Sequence, residues 1–458
     1  MNALPGMVVV LVGLGAVLTA AEPLKIEDPK DRQIVAAFLK HADAAPNTLT
    51  AEYCKKQAAE DPESYCWVVL KYQRLPLTAF QLTGDAKYLD LFVKSFENLR
   101  AAMTTSADGF LDWHGKPLST FQDASKPEYK YDVIITSFSA ICVLSDFVET
   151  TGQDAALKEK YAAQRAAYLE LMEKHLVKKW DPRGDYVDLG ARGAVYRAPA
   201  GLKEDKARLT QPHNKHSLLI RGFLALYRAT GNDEYMRKAV KLGTRFKRCL
   251  TLKDGHYEWN YWDPAGAWDV LPSDKSKWKH WIGVEHRGGY YASTLEQAVD
   301  LSQFGVVFSK EDMDRFLKTQ LEKCWNGDLA NPKWARVDGT TSDKYMQGDY
   351  LCSALAPLSP KVEEFCYSGP RQDERVKNAS HSWQGAVVAD GWLTGKYVEL
   401  PKARGGKQVY EEFGRKFRAK PENQAFLKEV EFEVTGEGYR APKTPAEMKD
   451  MPQEPAAK

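Results

Sequence analysis

The feature that most constrains this chain is a junction that recurs along it. An amphipathic stretch ends in Thr-Gly, and a second helical stretch starts almost at once. The junction occurs at Thr83-Gly84, Thr151-Gly152, Thr230-Gly231 and Thr394-Gly395, with a weaker form at Phe304-Gly305. Glycine takes the left-handed conformation that ends a helix, and the Asp, Asn or Ser that follows can cap the next one. After Gly84, the residues Tyr88, Leu89, Leu91, Phe92 and Phe96 fall at helical spacing. Around Gly231, Phe223, Leu224 and Tyr227 precede the turn, and Tyr235, Met236, Val240 and Leu242 follow it. Ser309 with Asp312 three residues on is a helix start. These are helical hairpins. Their uneven spacing argues against an open superhelix, which would keep a stricter period. The sequence therefore predicts an all-α fold: an α/α toroid of about five to six hairpins from about Pro29 to Lys420, its inner helix ends lining a cleft.

Hydrophobic residues make up 43% and charged residues 28%, enough apolar surface to bury a large core. A net charge of +2 gives no electrostatic reason to expect nucleic acid or an anionic membrane as partner. The apolar run from Met7 to Ala21, followed by small residues suited to cleavage after Ala20 or Ala21, reads as a signal peptide over residues 1–21. It is shorter than the roughly 20 apolar residues needed to span a bilayer. Export to the periplasm or the extracellular space follows, and no later segment reads as a membrane span. From about Val434 to Lys458 the chain turns polar and proline-bearing, which predicts a disordered tail.

The seven cysteines include no CxxC pair, so structural zinc is not expected. In an oxidising compartment Cys54 with Cys66, or Cys352 with Cys366, could pair. Cys142 reads as a buried free thiol. Phosphate-binding loops, GxSxG elbows, HExxH helices and dinucleotide loops are all missing, and no cofactor or metal is implied.

Three constellations carry chemistry. Gln211-Pro212-His213-Asn214-Lys215-His216 sits where an inner helix should begin, and free N–H groups beside two imidazoles suit a polarised or anionic group. Trp281 to Tyr291, WIGVEHRGGYY, brings Glu285, His286, Arg287, Tyr290 and Tyr291 to another helix start. Arg287 could clamp a carboxylate there at two points. Tyr257, Trp259, Asn260, Tyr261, Trp262 and Trp268 form the third, HYEWNYWDPAGAWDV, in which aromatic faces would stack on sugar rings. Trp113-His114 and His381-Ser382-Trp383 repeat that pattern more weakly. Buried ion pairs and core aromatics are the competing readings of all these residues.

With PHNKHSLLIRGFLALYRATGNDEY, DGHYEWNYW and EHRGGYYASTLEQAVDLSQFGVVFSKEDMDRF in place, the chain resembles the α/α-toroid carbohydrate-active proteins. That group holds the six-hairpin glycosidases and the toroidal uronate polysaccharide lyases. The lyase resemblance implies an Asn-His-Tyr catalytic group in Asn214, His216 and either Tyr257 or Tyr261, although Lys215 separates the Asn from the His. The expected reaction is β-elimination on a uronate-containing polysaccharide. Asn214 and Arg287 would meet the carboxylate; His216 or His286, with Tyr257, Tyr261 or Tyr290, would move the protons. A glycosidase would instead use paired carboxylates such as Asp263 and Glu285. A noncatalytic glycan-binding protein is the third expectation.

Overall fold

The computed structural model describes residues 22–341, 344–404 and 409–454. Helix takes up 57% of the chain, which makes the protein mostly helical. Strand is confined, among the described residues, to three two-stranded antiparallel ladders in the loops: Thr104–Thr105 with Leu111–Asp112, Tyr186–Asp188 with Ala194–Tyr196, and Thr251–Lys253 with His256–Glu258.

Two of the Thr-Gly junctions are built in the same way. Gly84 (φ 68°) and Gly231 (φ 70°) cap the helices Leu75–Thr83 and His213–Thr230 in the left-handed conformation. Each preceding threonine hydroxyl donates back to the carbonyl four residues earlier and accepts the N–H two residues later. Gly305 (φ 65°) turns the chain toward Ser309, whose hydroxyl and Asp312 form a reciprocal capping box on Lys310–Lys318. Two junctions differ. Gly152 closes the Ile134–Gly152 helix without a positive φ, and Asp154 caps the next. The backbone at Gly395 stays helical (φ −58°), so the chain runs on from Trp383–Thr394 into wider turns over Gly395–Glu399. A Cβ there would meet the Tyr367 ring, so close packing is what this glycine serves.

The Ile134–Gly152 helix lies along His213–Thr230, which also packs on Asp233–Lys247 and Gly288–Gln303. Gly222 lets the first two approach, since a Cβ would stand 2.6 Å from the Phe138 ring. Gly288–Gln303 touches Ser353–Leu358, and Trp383–Thr394 touches Leu75–Thr83 and Pro29–Thr48. By length and hydropathy Ile134–Gly152 could cross a membrane, contrary to the sequence reading, but 72% of it is buried and it serves as a core helix. All seven cysteines are free thiols, so neither expected disulfide forms; Cys142 is half-buried and the others are buried.

The C-terminal segment departs from expectation. Residues 434–454 are held against the aromatic loops. Tyr439 N–H donates to the Leu250 carbonyl (2.9 Å) and Leu252 N–H to that of Glu437 (3.0 Å). Trp278 Nε1 donates to the Pro442 carbonyl (2.9 Å), and Arg197 pairs with Glu454 (2.7 Å). Composition misreads this segment because most of its anchors, at Glu437, Tyr439 and Pro442, are backbone groups, which polarity does not register. Residues 1–21, where a signal peptide is expected, and the last four residues of the chain lie outside the described residues.

Candidate active site

The helices Ile134–Gly152, His213–Thr230 and Gly288–Gln303 begin close together, beneath the loop that runs from Trp259 to Arg287. Asn260 bridges to Val284, and Tyr261 N–H donates to the Gly283 carbonyl (2.8 Å), so the two ends of that loop are pinned side by side. The pinning sets Tyr261 between two rings. It stacks on Trp281 (centroids 5.8 Å, planes 14° apart) and on Tyr290 (6.0 Å, 18°). From Trp281 the ladder continues to His286 (4.5 Å, 22°) and then to Tyr345 (5.7 Å, 34°). Trp281 is 40% exposed and Tyr345 54%. Two large rings left open to water in a run whose other members, Tyr261, His286 and Tyr290, are half-buried suit a flat, partly apolar ligand.

Polar groups flank the ladder. Glu285 is only 3% exposed. Its Oε1 accepts the N–H groups of His286 (2.6 Å) and Arg287 (2.9 Å), while Oε2 is buried without a partner among the described residues. Burial outweighs those bonds and pushes the carboxyl up to about 7. Burial, with Arg336 and Arg287 nearby, holds His286 below the ordinary imidazole value, so its ring is neutral at pH 7. Arg287 Nη1 donates to the Tyr290 hydroxyl (3.3 Å), and its guanidinium, which acts on Glu285 at longer range, forms no ion pair with a carboxylate among the described residues. The arrangement offers a neutral imidazole, a phenol beside a free cation, and a carboxyl that titrates near neutrality.

The Asn-His-Tyr group expected from the sequence is not assembled in this cleft. His216 is 2% exposed and its Nε2 accepts the Tyr196 N–H (2.9 Å); burial drives it down to about 3. Asn214 is buried two residues earlier in the same helix. Tyr257 stands in the core, where its hydroxyl donates to Asp312 (2.6 Å) and accepts from Arg315 (2.9 Å). The same correction applies to several intended sugar contacts. Trp259 stacks on Tyr291 in the interior, and the Tyr291 hydroxyl donates to Gln320. Trp262 is buried with its indole N–H on the Thr210 carbonyl, and Trp113 is buried against Tyr65. Asp263 is consumed by His213 (3.0 Å) and Asn260 (2.8 Å), so it cannot pair with Glu285 as a free carboxylate. His114 Nε2 lies 2.6 Å from the Asp132 carboxylate. His381 is exposed and Trp383 half-buried at the start of Trp383–Thr394, and neither joins the ladder. Of the intended residues, Tyr261, Glu285, His286, Arg287 and Tyr290 come together.

Sequence pattern does not mark Trp281, Tyr345 or His280 as contacts. Trp281 opens the WIGVEHRGGYY segment without a periodic partner, and Tyr345 sits in a distant loop with no periodic signal. His280 stacks on Trp262 (5.6 Å, 23°), and burial lowers it to about 4. His213, Cys249 and Asp263 are buried with their ligand atoms within 4.8 Å of one another, close enough to surround a metal ion. The His213 bond and the adjacent Arg245 cation already balance Asp263 there.

No protein-family model matches the chain, and no curated protein or solved structure matches it either.

Proposed function

We propose that the chain closes into an α/α toroid and cleaves a uronate-containing polysaccharide by β-elimination in the cleft of Tyr261, Trp281 and Tyr290. The contact of Trp383–Thr394 with Leu75–Thr83 supports the ring, because it returns the last hairpins to the first. One observation carries the function: an aromatic ladder ends at Tyr290 beside Arg287, a guanidinium in no ion pair with a carboxylate among the described residues. Stacked rings hold the sugar faces, and the free cation meets the C6 carboxylate.

In the reaction, the Arg287 charge stabilises the enolate-like carboxylate that develops as C5 loses its proton. Neutral His286 takes that proton. The electron pair forms the C4–C5 double bond, the C4–O bond breaks, and the Tyr290 phenol protonates the leaving oxygen. Water resets both groups. The apolar run from Met7 to Ala21 supports export to the periplasm or beyond, where such a polymer would be met.

Incubation with a panel of uronate polysaccharides should give the ultraviolet absorbance of an unsaturated product, and His286→Ala and Tyr290→Phe should each abolish it. A second reading rests on Glu285, whose carboxyl near 7 is suited to act as the general acid of a glycoside hydrolase. Saturated reducing ends, lost in Glu285→Gln, would decide for hydrolysis. Tight glycan binding with no product of either kind would leave a binding protein.

A further inference from the structure

Beside the ladder, and sharing Tyr261 with it, lies a pocket of about 100 Å³ walled by Tyr131, Ile134, Ile135, Lys206 and Lys215. The Ile134–Gly152 helix opens into it from Val133 with no side-chain cap. The N–H groups of Ile134 and Ile135 have no acceptor among the described residues. Unpaired N–H groups at the positive end of a 19-residue helix favour an anion.

A second observation is independent of the helix. Tyr131 is 6% exposed, and its hydroxyl is buried with no partner among the described residues. Burial holds the phenol well above its ordinary value, so it remains a donor in search of an acceptor. The two carboxylates of the wall are already neutralised. Glu63 pairs with Lys215 (2.8 Å), and Asp132 with His114 and Arg183 (2.6 Å each) and with Lys179 (3.3 Å). Among the described residues Lys206 pairs with the half-buried Asp205, at 3.4 Å.

We infer that this pocket is an oxyanion site for a carboxylate or sulfate group on the sugar next to the one held at Arg287. Its placement on the glycan rests on the carbohydrate reading of the ladder; its preference for an oxyanion does not. Tyr261 is the wall shared by the pocket and the ladder, and Tyr290 and Arg287, which lie at its stacked face, do not line the pocket. The substrate class is then a glycan with negative groups on successive sugars.

Two measurements test this on the full chain. Crystals soaked in selenate should show an anomalous peak within hydrogen-bond reach of the Tyr131 hydroxyl, and the peak should vanish in Tyr131→Phe. No peak in the pocket, or one that survives Tyr131→Phe and so marks an adventitious ion only, overturns the site. Calorimetry should find a tetrasaccharide of consecutive uronates bound roughly tenfold tighter than one alternating uronate with neutral sugar. Sulfating the neutral sugar should restore the difference if the pocket takes sulfate as well. Equal affinities for the consecutive and alternating chains, unchanged in Tyr131→Phe and Lys206→Met, overturn the placement on the glycan. A selenate peak with no binding of any oligosaccharide keeps the oxyanion site and removes the carbohydrate reading.

Discussion

His286 lies over the face of Trp281, with ring centroids 4.5 Å apart and planes 22° apart. The proposed base thus rests on the ring proposed to carry a sugar, so binding and proton transfer are read from adjoining surfaces. Because Trp281 is 40% exposed, its removal leaves the core intact. Trp281→Ala should weaken oligosaccharide affinity by about 1 to 3 kcal/mol, the range for a hot-spot aromatic, with an unchanged melting temperature. Trp262→Ala should do the opposite. That ring is buried, and its loss should cost about 3 to 5 kcal/mol of stability by chemical denaturation.

Glu285 gives stability a defined pH dependence. Its folded value is raised from 4.5 to about 7 by burial, so between those values the folded state keeps a proton that the unfolded chain gives up. Stability is complete below about 4.5, falls as pH rises through the window, and is flat above about 7, with a loss on the order of 3 kcal/mol. Urea unfolding from pH 4.5 to 7.5 should show this slope, and Glu285→Gln should remove Glu285's share of it. His286 works with the other sign. Its lowered value costs stability as pH falls through it, and the acid limb of any activity should lie below the ordinary imidazole value of 6.5.

His216 and Tyr257 should behave as structural residues. His216→Ala leaves the Tyr196 N–H without its acceptor in the core, at about 1 to 3 kcal/mol. Tyr257→Phe removes a donor from Asp312 and an acceptor from Arg315, at about 1 kcal/mol. Denaturation curves should shift by these amounts while turnover per folded molecule holds. Turnover lost at full stability would return either residue to the active site.

The sequence made legible what is local. The Thr-Gly pairs at Gly84 and Gly231 specify their own turns through a left-handed glycine and two threonine hydrogen bonds, and the structure has those bonds. Gly395 carries the same letters but serves packing against Tyr367, which no local rule separates from a cap. The aromatic run split for a related reason. Tyr257 pairs across its ladder with Leu252 and faces Phe316, whereas Tyr261 lies past the strand and meets Trp281. Tyrosine and tryptophan occur on both sides of that division, and only the tertiary neighbours tell a buried ring from an open one. His286, Arg287 and Tyr290 could be read because a helix start presents successive residues together; Tyr345 joins them from a remote loop and left no periodic trace.

The C-terminal segment should act on the cleft from behind. Trp278 bonds the Pro442 carbonyl and Ala267 N–H bonds that of Pro452, so the loop bearing His280 and Trp281 is fastened to residues 434–454 over much of its length. Ending the chain after Phe432 would strand the Trp278 indole and the Leu252 and Ala267 N–H groups, while the long helices keep their packing. Because the lost bonds are at the loop and not in the helical core, the effect should be local opening more than global unfolding. Hydrogen exchange should therefore quicken across residues 251–281 and stay slow in Ile134–Gly152 and His213–Thr230. Oligosaccharide affinity should fall together with that protection, since Tyr261 and Trp281 are aligned by the same loop. Unchanged exchange in residues 251–281 would show that the loop holds its shape without the segment.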